Sequence, residues 1–179
     1  MALAHISGWQ NEPMSVTVRT PRPGDGAAMA RIWLSASAYY AGLDAGYFQV
    51  PPTQGLAESF EASLGTGGED ALMLVADLDG RAAGWLTARI EFPAPGAARQ
   101  MVRENGWTRL LIDALLVDQA AWHQGVGTAL LVAAEGWGRD RGAEVVRLDT
   151  YADSPVSVPF YERHMGYQRR SIVFQKPLR

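Results

Sequence analysis

Cysteine is absent from the 179-residue chain. That excludes disulfides, a thiolate nucleophile and cysteine-based zinc sites, and it suits a cytoplasmic protein. Histidine is scarce, and His5, His123 and His164 have no metal-ligand spacing, so no metal is expected. Lys176 is the single lysine beside 15 arginines, and the formal net charge is −3, which leaves no electrostatic footprint for a nucleic acid. No run of about eighteen apolar residues is present, so no membrane span is expected. Residues 1–13 lack both the basic start and the apolar core of a secretory signal. They read as a short N-terminal extension before one domain, 14–179.

What is present is the profile of a globular domain, with 47% hydrophobic and 20% charged residues. Ser15–Thr20 alternates β-branched residues and predicts a strand. Asp25 is placed to cap a helix to about Tyr40, with Met29, Ile32, Trp33 and Ala36 on one face. Thr53 opens a second helix to about Leu64. Ala71–Asp77 and Arg81–Phe92 predict a hairpin through Asp79-Gly80, where glycine accepts the positive φ of a tight turn. Pro93–Gly106 is a long connection with room for one helical turn. Trp107–Val117 reads as a buried central strand. From Gly125 the stripe Val126, Ala129, Leu130, Ala133, Ala134 and Trp137 predicts a helix to about Arg141, closed by Gly142. Glu144–Tyr151 reads as a strand, Ser154–Met165 as a short helix and Tyr167–Gln175 as a last strand. The order β-α-α-β-β-β-α-β-α-β, without repeat or linker, predicts a single-domain α/β fold: a mixed central sheet flanked by helices.

The strand–turn–helix from Leu110 to Leu131 carries the sharpest functional signal. The first N–H groups of a helix have no partner inside it, and the dipole adds partial positive charge there. Gly125 and Gly127 would let an anion such as phosphate approach that backbone closely. A P-loop needs Gly-Lys-Ser/Thr, but no lysine precedes Thr128. A dinucleotide fingerprint needs a third glycine where Leu130 stands. Neither fits.

Trp122-His123-Gln124-Gly125-Val126-Gly127 resembles the acetyl-CoA signature of the GCN5-related N-acetyltransferases (GNAT), Arg/Gln-x-x-Gly-x-Gly/Ala after a strand ending in a hydrophobic-Val pair. Trp122 stands where the family has Arg or Gln. Downstream, Pro159-Phe160-Tyr161-Glu162-Arg163-His164-Met165-Gly166-Tyr167 resembles the family's Phe-Tyr-Glu-x-x-Gly-Phe segment, with one extra residue before the glycine. The predicted element order is also the family's, so the resemblance covers about Val16 to Lys176. It implies a GNAT-like fold, acetyl-CoA as acyl donor and direct transfer of the acetyl group to an amine, expected to be on a small molecule. A protein amine as acceptor, a longer acyl-CoA as donor and a non-catalytic acyl-CoA-binding module stay open. Many relatives form dimers, and a last strand would offer an edge for a homodimer.

The resemblance also assigns residues. The edge of the central strand at Leu115, Leu116 and Val117 would pair with the pantetheine amides, and the N–H groups near Leu116 and Val117 would polarise the thioester carbonyl. The main-chain amides of Trp122, His123, Gln124, Gly125, Val126, Gly127 and Thr128 would hold the pyrophosphate. Ser154 stands where relatives often have asparagine against the cofactor. Tyr161 would face the cofactor sulfur and give a proton to the departing thiolate; its alternative is amphipathic core. His123, inside the turn, is expected to face phosphate or solvent. The attacking amine must lose a proton, and Asp113, on the central strand where relatives often carry glutamate, is the candidate base, with burial expected to raise its pKa. Its alternative is a structural carboxylate at a strand bend. Asp118 comes second and reads better as a turn residue. Tyr39, Tyr40 and Asp44, with Tyr47 and Phe48, would form an aromatic substrate wall with one acid, suited to a cationic amine.

Overall fold

The computed structural model describes residues 15–176 and residue 178; the expected extension, 1–13, lies outside them. Five strands form one sheet: β1 (Val16–Arg19), β2 (Ala71–Leu78), β3 (Arg81–Glu91), β4 (Arg109–Val117) and β5 (Val145–Arg147). They lie side by side in chain order. Neighbours are antiparallel, except that β5 runs parallel to β4. Asp79 and Gly80 both take positive φ (49° and 79°), as the tight turn between β2 and β3 requires.

The apolar stripes put helices on both faces. Helix α3 (Val126–Asp140) buries Val126, Leu130, Leu131 and Ala134 against Leu86, Leu110 and Ile112 of the sheet. Helix α1 (Asp25–Leu43) lays Met29 and Ile32 on the other face, over Val75 and Trp85, and α2 (Leu56–Ser63) adds Phe60 beside Trp33. Gly138 lets α3 approach β4, because a Cβ there would lie 2.8 Å from Leu110 Cδ2.

Several expectations change. Asp25 is the first helical residue rather than the cap, and its carboxylate accepts from Arg19 and from the Arg22 N–H. The N-terminus of α1 is capped from outside: Glu61 of α2 accepts from the N–H groups of Gly24 and Gly26 at 2.7 and 2.9 Å. Helix α2 begins at Leu56, after Gly55. The 93–106 connection holds two short 3-10 turns, at Ala97–Arg99 and Arg103–Gly106. The strand expected over Glu144–Tyr151 is only three residues long, because β5 leaves β4 after Arg147. The helix expected over Ser154–Met165 is a single α turn, α4 (Ser157–Pro159), running into a π turn at Phe160–His164. The π turn is closed by Met165 N–H donating to Phe160 C=O at 3.0 Å. The last strand, Tyr167–Gln175, does not form: residues 168–176 are exposed and irregular. A strand needs a ladder partner, and none lies beside this segment among the described residues.

Candidate active site

β4 and β5 pair only through Arg109–Leu111 and Val145–Arg147. Beyond that they splay, and a cleft of about 470 Å³ opens between Ile112–Leu116 on one side and Leu148–Tyr151 on the other. Helix α1 supplies Trp33, Ser37 and Tyr40 to its wall, the next loop Tyr47 and Phe48, and the α4 region Ser157 and Tyr161. A second hollow, of about 490 Å³ between α1 and α2, has Glu61 as a polar wall, but that carboxylate is already committed to capping α1.

The ladder fixes which β4 groups face the cleft. Asp118 N–H donates to Ala83 C=O at 2.8 Å, and Leu116 pairs with Trp85. Alternation in an antiparallel pair then turns the main-chain groups of Leu116 towards β3 and those of Leu115 and Val117 to the open side. The expected main-chain role of Leu116 is therefore corrected, since its amide belongs to the sheet. The Val117 carbonyl is also taken, by the Trp122 indole N–H at 3.0 Å. Leu115 N–H, Leu115 C=O and Val117 N–H remain at the edge.

Ala114 pairs with Thr87 and Ile112 with Ala88, so Asp113 is the extra residue of a β-bulge. It lines the cleft but is exposed and ion-paired with Arg89. The expected burial is wrong, because the bulge turns the side chain out of the sheet's packed face. Asp118 accepts from Arg31, Ser35 and the Ala120 N–H, which makes it the turn residue. Asp149, not singled out from the sequence, also lines the cleft and has no ion-pair or hydrogen-bond partner among the described residues. Only its place after a splayed strand marks it, and that place is not visible in residue types.

At the turn, Gly125 is the N-cap of α3 with φ 82° and no side-chain cap. The N–H groups of Gly125, Val126, Gly127 and Thr128 have no acceptor among the described residues. Four such donors at the positive end of a helix dipole can receive an anion. The side chains around it have other work. Val126 is core, Gln124 donates to Ala120 C=O, and Thr128 Oγ1 lies 3.1 Å from His164 Nε2. His123 is exposed in the left-handed region, with φ 62°. Gly127 is small for packing: a Cβ would lie 3.3 Å from Phe160 Cζ and 3.6 Å from Val117 Cγ2. Trp122 is not a phosphate ligand by its side chain; its indole locks the turn to the end of β4.

Tyr161 lies in the cleft wall, and its hydroxyl has no hydrogen-bond partner among the described residues. Burial pushes its pKa upward, with the Tyr40 oxygen adding to the shift, so the phenol holds its proton at neutral pH. Ser154 is 2% exposed and its Oγ accepts from Ser157 N–H at 3.0 Å, so it holds the start of α4 rather than facing the cleft. Of the expected substrate residues, Tyr40 lines the cleft and is 2.7 Å from Ser157 Oγ. Tyr39 turns instead onto Trp122, ring centroids 4.8 Å apart. Asp44 is spent on the Tyr151 hydroxyl (3.2 Å) and the Gly46 N–H (2.9 Å). Tyr47, Phe48 and Tyr151 do form an aromatic wall, with Phe48 and Tyr151 centroids 5.1 Å apart.

A strand splayed from its parallel neighbour and leading to a bare helix N-terminus gives this α/β sheet an open cleft that ends beside free main-chain donors. The sequence matches the model of the acetyltransferase (GNAT) family over residues 31–167, and the chain belongs to that family, whose acyl donor is acetyl-CoA. No curated protein sequence matches it. Among solved structures, a mutant BH1408 protein from Bacillus halodurans superposes with TM-score 0.75 at 18% identity, covering 90% of this chain and 99% of its own. An aminoglycoside N-acetyltransferase in complex with CoA gives TM-score 0.60 at 15% identity, covering 94% and 98%. An aminoglycoside acetyltransferase from an uncultured soil metagenomic sample, in complex with sisomicin, gives 0.56 at 18%, covering 93% and 97%. At these identities the likeness is one of fold. Among the described residues no helix is long and apolar enough to cross a membrane.

Proposed function

We propose that the protein is an acetyl-CoA-dependent N-acetyltransferase that passes the acetyl group directly to an amine on a small molecule. One observation carries the reading: a single cleft joins the open edge of β4, the unpartnered hydroxyl of Tyr161 and a wall of aromatic rings, and β4 leads on to the free N–H groups of α3. The donor chain fits this frame. Pyrophosphate is held by the N–H groups of Gly125 to Thr128, and the pantetheine amides pair with the main-chain N–H and C=O of Leu115 as a peptide pairs with an open strand. Val117 N–H, at the open edge, is left as a donor for the thioester oxygen.

The amine nitrogen forms a bond to the acetyl carbon while the carbon–sulfur bond breaks. A carboxylate takes the nitrogen's proton, and Tyr161 gives its own to the sulfur. Asp113 and Asp149 both stand at the cleft. Asp149 is the better placed to accept a proton because Arg89 already holds Asp113. Tyr40, Tyr47, Phe48 and Tyr151 give π faces, and Asp149 gives charge, so the acceptor is an amine that arrives as a cation. The aminoglycoside acetyltransferases that share the fold act on amine-bearing small molecules, which supports the same class here.

The test is calorimetric titration with acetyl-CoA, followed by thiol release over a panel of small amines and peptides. Micromolar binding and release of CoA with a small amine support the reading. Binding without release for any amine would make the chain an acyl-CoA-binding module, and absence of binding would reduce the glycine turn to structure.

A further inference from the structure

The Tyr161 hydroxyl makes no hydrogen bond of its own among the described residues, so its place in the cleft is set by the backbone that carries it. That backbone is short and irregular. Helix α4 is one turn, and the π turn that follows is closed by Met165 N–H. So short a helix is not stable by itself, and its position comes from tertiary contacts. On one side Phe160 rests on the start of α3, where a Cβ on Gly127 would lie 3.3 Å from its ring. The chain leading in is fixed by Ser154, whose N–H donates to Tyr151 C=O at 3.1 Å and whose Oγ accepts from Ser157 N–H at 3.0 Å. Among the described residues, two side-chain hydrogen bonds join residues 157–164 to another helix. Thr128 with His164 is exposed, at 3.1 Å; Tyr40 with Ser157 is half-buried and shorter, at 2.7 Å.

We propose that the Tyr40 hydroxyl is a positioning group for Tyr161: its bond to Ser157 ties the segment that carries the phenol to α1. The proposal rests on the acetyl-transfer reading. The bond joins a firmly placed helix to a loosely placed one. Helix α1 is 19 residues long, and Met29 and Ile32 build it into the core. The Tyr40 ring is itself held, with its centroid 5.0 Å from Phe48 and 5.3 Å from Tyr39, and Tyr39 in turn lies 4.8 Å from Trp122. Ser157 and Tyr161 both line the cleft and are four residues apart, so they share a face across about one turn. A movement at one is carried to the other. The two phenols are close enough for the Tyr40 oxygen to add to the upward shift of Tyr161. This role belongs to the hydroxyl alone. It is separate from the π face that Tyr40 offers to the acceptor, which a phenylalanine would keep.

The test is a mutant cycle on kcat in the whole chain, with the amine that gives the fastest release of CoA. A misalignment of about 1 Å can cost ~10² in rate, so Tyr40→Phe, which frees one tie of the segment, should lower kcat roughly tenfold while acetyl-CoA affinity measured by calorimetry stays the same. Ser157→Ala should show the same fall, and the Tyr40→Phe/Ser157→Ala pair no further fall, because both remove one interaction. Ser157→Thr keeps a hydroxyl and should keep a rate close to the wild type. In a Tyr161→Phe chain, Tyr40→Phe should change kcat little, because the acid it places is gone. Unchanged kcat in Tyr40→Phe, or losses that multiply in the pair, overturns the proposal. A further loss of the same size in the Tyr161→Phe chain also overturns it, because Tyr40 would then act on the reacting atoms directly. Should Tyr40→Phe misfold, Ser157→Ala against Ser157→Thr carries the test, and equal rates overturn the role. A wild type that releases no CoA with any amine sinks the acetyl-transfer reading and this role with it. A wild type that turns over but whose variants multiply sinks the role alone.

Discussion

Tyr161 is a phenol kept protonated by burial and left without a partner, which is the state a proton donor to a thiolate needs. Tyr161→Phe removes the proton and leaves the ring packed on Phe160. Positioned acids contribute about a hundredfold or more, so kcat should fall by ~10² while acetyl-CoA affinity measured by calorimetry stays the same. A variant with wild-type kcat would return Tyr161 to the core. The two cleft acids separate by substitution. A positioned base contributes about a hundredfold, so Asp149→Asn should lower kcat by ~10², whereas Asp113→Asn should change it little; the reverse pattern would restore Asp113 as base. The phenol's identity was legible because its motif is local. The acids were not: whether a strand carboxylate is buried depends on a bulge, and Asp113 is turned outward by one that no residue type announces.

Helix α3 passes close to the π turn at Gly127. Gly127 sits there because Phe160 leaves no room for a Cβ without giving way by a few tenths of an ångström. The Gly127 N–H is free at the start of α3, and its contact with Phe160 ties the residue to the segment that carries Tyr161. Gly127→Val should therefore act on the chemical step. A reacting group displaced by about 1 Å can lose a hundredfold, so kcat should drop tenfold or more with a small change in acetyl-CoA affinity. A large loss of affinity at constant kcat would give the glycine back to the pyrophosphate. Gly125 differs: a Cβ there meets nothing, but φ is 82°. Gly125→Ala should lower stability by about 1–2 kcal/mol, read from the urea midpoint. Elements with a strong period, α1, α3, β2, β3 and β4, were readable from the chain within a few residues. Those that failed were set by partners. β5 stops where β4 splays away, and 168–176 has strand chemistry without a strand beside it.

The whole molecule is held at the β1 end of the sheet by a buried ion cluster that has no part in the cleft. Arg19 of β1 forks onto Asp25 of α1 at 2.7 and 2.9 Å and onto Asp77 of β2 at 2.7 and 3.0 Å. The side chains of Arg19, Asp25 and Asp77 are only 17%, 12% and 11% exposed. The Arg19 guanidinium, followed by the Arg22 N–H, holds the Asp25 carboxyl below its ordinary range against the opposing effect of burial. A depressed folded pKa contributes stability that is complete above the unfolded value of about 3.9 and is lost as pH falls through the folded one. The wild type should therefore show a flat urea midpoint above about pH 5 and a decline below about pH 4. Arg19→Met keeps the stem but leaves two neighbouring buried carboxylates facing each other with only the exposed Arg22 at 3.4 Å from Asp77. Breaking a buried pair from one side costs about 3–5 kcal/mol, so the variant should lose that much at pH 7. Its unpaired acids would then have raised pKa values, and protonating them would relieve the repulsion. The gap between wild type and variant should narrow as pH falls towards 3. A gap that stays constant over that range would mean that Arg19 acts through the packing of its stem and not through its charge.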